Sequence, residues 1–177
     1  NICAAVSAVW QVVRDAGPIR GVVTTFTGLE HRLEFVAMVD GARYYDDSFG
    51  TTPDTAIVAM DAFREPKVMI VGGHDKGNDM SAMCKRLALK DIRHVVFIGM
   101  IGESMRSMAI EYGLSPDRTS YKEDGNAWTM QEIVSTARSY AKSGDTVLLS
   151  AGSSSFGIFS DYKDRGNQFK DCVRSLN

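Results

Sequence analysis

Residues 31–54 read HRLEFVAMVDGARYYDDSFGTTPD, and their order decides the fold. Leu33 to Val39 reads as a strand. Asp40-Gly41 then signals a two-residue hairpin turn, because both central positions of that turn need positive φ. Ala42 to Tyr45 returns as the partner strand. Thr52-Pro53 starts a helix: a hydroxyl cap, then proline in the first turn. Asp46, Asp47, Ser48, Thr51 and Thr52 therefore share one short loop at a strand end. Such a loop can hold a cation, a ribose or an anionic substrate.

Downstream, strands and helices alternate. Ala56, Ile57, Met60 and Phe63 form the buried face of the helix that Pro53 opens. Lys67 to Val71 is a buried strand and Ser81 to Leu89 a helix. His94 to Ile98 is a strand, and Glu103 to Tyr112 a helix closed by Gly113. A short strand is placed near Thr119 to Tyr121. Ala127 to Lys142 is a helix with Met130, Ile133, Val134, Ala137 and Ala141 on one face. Thr146 to Ser150 is another buried strand, and a final helix holds Phe169, Cys172, Val173 and Leu176. The expectation is an α/β fold: a Rossmann-like, mostly parallel sheet flanked by helices, with an antiparallel N-terminal hairpin strand.

Upstream, Ile2, Ala5, Val6, Val9, Trp10 and Val13 recur at helical spacing. Gly17 and Pro18 are expected to stop that helix, and a second covers Ile19 to Phe26. Thr27, Gly28 and Leu29 read as a linker, with a domain boundary near Glu30. The chain opens inside a helical pattern, as a piece of something longer would.

At 177 residues and 44% apolar content, the chain can bury a core of its own. A net charge of -2 points to neither nucleic acid nor an acidic membrane. Cys3, Cys84 and Cys172 are far apart and odd in number. A disulfide framework and a zinc site are both unsupported, and a reducing cytoplasm is the expected setting. No apolar run approaches the roughly 20 residues of a membrane helix, and no signal peptide is read at the N-terminus.

Ligands of open parallel sheets bind at the carboxyl ends of the strands. The candidate loops are therefore Asp46 to Thr52, Gly72 to Gly77, Gly99 to Gly102 and Ser150 to Gly157, and right-handed crossovers put them on one edge. The first reads equally as a capped helix with two solvated aspartates. In the second, GGHDKG, the glycines let backbone approach a ligand and Lys76 supplies a point charge for a carboxylate or phosphate. An ordinary glycine turn with a solvated lysine is the competing reading. His74 can serve as ligand or base, but a lone loop histidine is usually polar surface. The third, GMIGE, is explained by a tight strand-to-helix turn. The fourth, SAGSSSFGIF, offers hydroxyls and backbone N–H groups to a carboxylate, with Phe156, Phe159 and Tyr162 as possible walls. The alternative there is a flexible serine loop. A serine nucleophile is unsupported, since G-x-S-x-G is absent. Neither G-x-x-x-x-G-K-[ST] nor G-x-G-x-x-G occurs, so the chain carries no phosphate loop or dinucleotide fingerprint.

HRLEFV, YYDDSFGTTPD, VGGHDKG and LLSAGSSSF…F…Y…RG, in this order, resemble the C-terminal domain of the Mur ligases. The helix that begins at Asn1 is similar to the H-N-x-x-N-x-x-A helix that ends the family's central domain, with Asn1 at the first asparagine. The resemblance implies residues 1–30 as terminal helices of a central ATPase domain plus linker. It implies residues 31–177 as the C-terminal, amino-acid-binding domain. It further implies ATP-dependent amide formation in peptidoglycan biosynthesis, with D-glutamate and UDP-N-acetylmuramoyl-L-alanine as substrates. ATP and Mg2+ are the implied cofactors, bound mainly by the central domain. A cytoplasmic monomer is expected. By motif position, Arg32 and Asp47 would contact the nucleotide. Thr51, Lys76, Ser155 and Phe156 would surround the amino acid, with Tyr162 where the family often has phenylalanine. No catalytic residue and no metal ligand is assigned within this chain. The chain departs from the family pattern at Phe49, where a lysine is usual, at Asp46 and Thr52, where asparagines are, and at Gly152 to Ser154, where A-C-A is. A sister ligase with another amino acid, a folylpolyglutamate-type ligase and a non-catalytic module that binds an acidic metabolite remain the alternatives.

Overall fold

The computed structural model describes residues 2–176, so the expectation at Asn1 lies outside the described residues. Six strands form one sheet in the order β1-β2-β6-β3-β4-β5. They are β1 Glu34–Val39, β2 Ala42–Asp46, β3 Lys67–Gly72, β4 Ile92–Ile98, β5 Thr119–Ser120 and β6 Thr146–Leu149. β1 and β2 pair antiparallel, and every other pairing is parallel. The expected Rossmann-like α/β sheet with its antiparallel hairpin is therefore present. Asp40 (φ 51°) and Gly41 (φ 79°) supply the two positive φ angles that the hairpin needs.

Among the described residues, seven α-helices accompany the sheet: α1 Ile2–Trp10, α2 Ala16–Thr25, α3 Pro53–Asp61, α4 Ser81–Leu87, α5 Gly102–Glu111, α6 Met130–Tyr140 and α7 Tyr162–Arg174. Side chains alternate across the sheet. Val68, Ile70, Val96, Ile98, Val147 and Leu149 pack with α6 and α7, where Ile133, Ala137, Phe169 and Val173 lie. Met69, Val71, Val95, Phe97 and Leu148 pack with α3, α4 and α5, where Met60, Met83, Leu87 and Met105 lie. Apolar cover on both faces explains why these strands read as continuous apolar runs.

Capping chemistry sets several boundaries. Thr52 and Thr55 form a reciprocal capping box at the start of α3. Thr129 and Glu132 do the same for α6, which begins at Met130 rather than at Ala127. Gly17 and Pro18 do not stop α1, which ends at Trp10; they sit in the first turn of α2, capped by the Asp15 side chain. Proline is tolerated there because first-turn N–H groups have no intrahelical partner. Phe159, expected as a pocket wall, is 6% exposed and belongs to the core beside Trp128.

Helices α1 and α2 bury none of their residues. Val6, Val9, Ile19 and Val22 line an apolar cavity between them. Among the described residues, no helix is long and apolar enough to cross a membrane.

Candidate functional site

The strand order positions the site. β6 lies between β2 and β3, so the loop that leaves β6 stands between the loops that leave β2 and β3. This is the point where the sheet reverses direction of growth, and open α/β sheets bind ligands there. The backbone stitches the loops together. Gly72 N–H donates to Ala151 C=O, and His74 N–H to Ser154 C=O, both at 2.9 Å. The Ser153 hydroxyl donates to His74 C=O. Gly73 has to be glycine: a Cβ there would lie 2.1 Å from the Ser154 carbonyl oxygen.

The loop after β2 is buried at its base. Asp46, Asp47 and Ser48 are 0%, 4% and 0% exposed, which rules out two solvated aspartates. Asp46 Oδ1 accepts from Ser48 N–H, and Asp46 Oδ2 lies 2.7 Å from His31 Nδ1. Asp47 accepts from the Ser150 hydroxyl at 2.8 Å and from Leu33 N–H at 3.3 Å. Burial pushes the Asp47 carboxyl above its usual range, while Ser150, Leu33 N–H and Arg32 pull the other way. His31 (φ 62°) and Leu33 (φ 47°) hold left-handed backbone. Hydrogen bonds from His31 N–H to Glu34 and from Phe49 N–H to His31 C=O hold that conformation in place.

Arg32 and Asp47 come together. With Leu33, Gly50, Asp54 and Thr55 they line a cavity of about 230 Å³. That is below the roughly 300–1,000 Å³ of a whole small-molecule pocket, so it has room for part of a ligand. Thr51, Lys76, Ser155, Phe156 and Tyr162 do not line it. Lys76 is exposed and Thr51 half-buried. Ser155 is 4% exposed and Phe156 54%. The Phe156 ring meets His74 edge-on at 6.3 Å, and Tyr162 meets Phe49 edge-on at 5.2 Å. The loops that carry the amino-acid candidates thus share one edge, with Lys76 and Phe156 still facing solvent.

Both aspartates are engaged by protein donors, Asp46 by Ser48 N–H and the His31 ring and Asp47 by Ser150 and Leu33 N–H. Glu30, His31 and Glu34 approach within 4.8 Å of one another. The Lys170 ammonium already lies 2.7 Å from Glu30 and 3.2 Å from Glu34 and supplies the positive charge.

Ser150, His31 and Arg165 have structural parts in this site that the residue pattern did not assign. Ser150 grips Asp47, His31 grips Asp46, and Arg165 is fully buried beneath both loops. All three stand inside the quoted motifs, His31 in HRLEFV, Ser150 in LLSAGSSSF and Arg165 in the closing RG, where the sequence gives them no separate role.

Fold and site together define a Rossmann-like α/β domain whose switch point carries carboxylate, glycine-lysine and serine loops. The chain belongs to the Mur ligase family: the model of the Mur ligase glutamate ligase domain matches residues 31–153. Similar curated proteins include the UDP-N-acetylmuramoylalanine--D-glutamate ligase of Caldanaerobacter subterraneus subsp. tengcongensis, 35% identical over 176 residues. The ligase of that name from Pelotomaculum thermopropionicum is 38% identical over 179 residues. Each match covers 99% of this chain, which spans only 38% and 37% of those relatives' lengths. Among solved structures, MurF from Acinetobacter baumannii superposes with a TM-score of 0.63 at 16% identity, over 99% of this chain and 36% of MurF. A pseudomurein peptide ligase type C from Methanothermus fervidus gives 0.65 at 13% identity, over 99% and 35%. These structural likenesses establish the fold.

Proposed function

We propose that this chain is the C-terminal, amino-acid-binding part of a cytoplasmic ATP-dependent ligase. The ligase joins D-glutamate to UDP-N-acetylmuramoyl-L-alanine in peptidoglycan synthesis. Residues 31–177 form the binding domain in this reading. Residues 1–30 are the end of a central ATPase domain and a linker, which the unburied apolar helices α1 and α2 support. The observation that carries the reading is the placement of the serine loop between the carboxylate loop and the glycine-lysine loop, in a chain 35% identical along its length to a D-glutamate ligase.

Glutamate brings two carboxylates. Lys76, the hydroxyls of Thr51 and Ser155 and nearby backbone amides satisfy them, at about 1.5–3 kcal/mol for each charge-assisted bond. Phe156 and Tyr162 wall the amino acid. Arg32 and Asp47 hold one part of the nucleotide in their cavity. ATP supplies the phosphoryl group that activates the muramoyl carboxylate, and in this reading ATP and Mg2+ are bound mainly by the central domain.

The test uses the full-length protein with ATP, UDP-N-acetylmuramoyl-L-alanine and D-glutamate, L-glutamate or L-lysine in turn. Phosphate release that requires D-glutamate is expected. The 177-residue chain by itself should release none, because it carries no phosphate loop. Lys76→Ala should raise the amino-acid KM about 10- to 100-fold and leave the KM for ATP nearly unchanged. Turnover with another amino acid alone reassigns the substrate, and an unchanged amino-acid KM removes Lys76 from the site.

A further inference from the structure

Arg165 has no part in the ligase reading above, yet it is fully buried at the base of the site. Burial pulls its pKa down to about 10, with the Asp46 and Asp47 charges opposing that shift. It therefore remains a cation at neutral pH. A buried cation persists only where hydrogen bonds compensate for its lost hydration.

Those bonds reach two loops. Arg165 Nε donates to the Ser48 hydroxyl at 2.8 Å. One terminal nitrogen donates to Ser48 C=O at 2.8 Å, and the other to Ser153 C=O at 3.2 Å. The Ser48 hydroxyl in turn donates to Tyr162 C=O at 2.8 Å, in the first turn of α7. Ser48 belongs to the loop after β2 and Ser153 to the loop after β6. One planar fork thus fastens both loops to one helix. A lysine ammonium is a single point donor and lacks the fixed fork that reaches both carbonyls.

The geometry points to Arg165 as a positioning residue that locks the carboxylate loop to the serine loop. Through Ser48 and Ser153 it gives the Arg32 and Asp47 side of the site one fixed placement relative to Ser155 and Phe156. The names of the two ligands rest on the ligase reading; the mechanical coupling of the loops does not. An arginine that merely filled space would, when weakened, loosen the domain evenly. A lock between two loops has a different signature: damage to one loop is felt in the other.

Amide hydrogen exchange in the full-length protein tests this. Ser48→Ala removes one hydroxyl from the loop after β2 and leaves Arg165 in place. Exchange is expected to rise about tenfold across residues 46–52 and also across 151–157, while β3 and β4 keep their protection. Arg165→Lys should loosen both loops further. It should also raise the amino-acid KM about tenfold with a smaller change in kcat. Faster exchange confined to 46–52 in Ser48→Ala, or spread evenly over the domain, overturns the lock. If Arg165→Lys does not fold, Ser48→Ala decides alone. Coupled loosening in a protein that ligates no amino acid keeps the lock and rejects the ligase reading.

Discussion

Nδ1 of His31 lies 2.7 Å from Oδ2 of Asp46, and both side chains are sealed from solvent. Gly166 of α7 makes the room for this pair. A Cβ there would fall 2.2 Å from His31 Nδ1 and 2.6 Å from Asp46 Oδ2. Alanine usually beats glycine inside a helix by about 0.5–1 kcal/mol. Here the order reverses. Gly166→Ala is expected to destabilise by about 1–3 kcal/mol, the usual cost of overpacking. Thermal unfolding checks this, and a raised Tm would show that the pair has room to shift.

His94 should govern stability in mild acid. It is 1% exposed, its ring stacks on Tyr140 at 3.4 Å, and its Nε2 lies 2.8 Å from the Ser120 hydroxyl. Burial, helped by Arg118, pushes its pKa down to about 4 from 6.5. The folded state thus keeps His94 neutral where the unfolded chain protonates it. That contribution is fully present above pH 6.5 and is lost as pH falls towards about 4. The loss approaches about 3 kcal/mol. Tm measured from pH 7.5 to 4 should fall less steeply in His94→Gln than in the unaltered protein. Parallel curves would assign the acid sensitivity to other groups.

Phe49 takes the place where the family pattern has lysine, and its surroundings show one consequence. The ring is 45% exposed, and the Arg32 guanidinium sits 5.6 Å from its centroid. Tyr162 meets it edge-on. The aromatic therefore holds a cation rather than carrying one. An exposed cation–π contact is worth about 0.5–1 kcal/mol. Under the proposed placement of Arg32 on the nucleotide, Phe49→Ala in the full-length protein should raise the KM for ATP about two- to fivefold by releasing Arg32, and Phe49→Trp should preserve it. An unchanged KM in Phe49→Ala would reject the proposed contact of Arg32 with the nucleotide.

Local signals read correctly wherever neighbours in the chain settle the structure. Asp40-Gly41 turns because both residues adopt positive φ. Thr52-Pro53 starts a helix because the cap and its partner Thr55 lie three residues apart. Gly17-Pro18 misled because the same pair that ends one helix also fits the first turn of the next, and Asp15 decides between them. Two solvated aspartates are the reading that fails, because polarity alone does not report burial. Their partners His31 and Ser150 lie 15 and 103 residues away.

The amino-acid sequence by itself determined the alternation of strands and helices, the hairpin and the polar loops at strand ends. Those features follow from periodicity, capping and backbone φ preferences, which act over a few residues. Only the tertiary structure decided that β6 enters between β2 and β3, and that Arg165 holds Ser48 and Ser153 together across more than one hundred positions of chain. Such contacts form when the hydrophobic faces of the sheet and helices close. The bonds that remain inside are chosen by which polar groups that closure leaves facing one another.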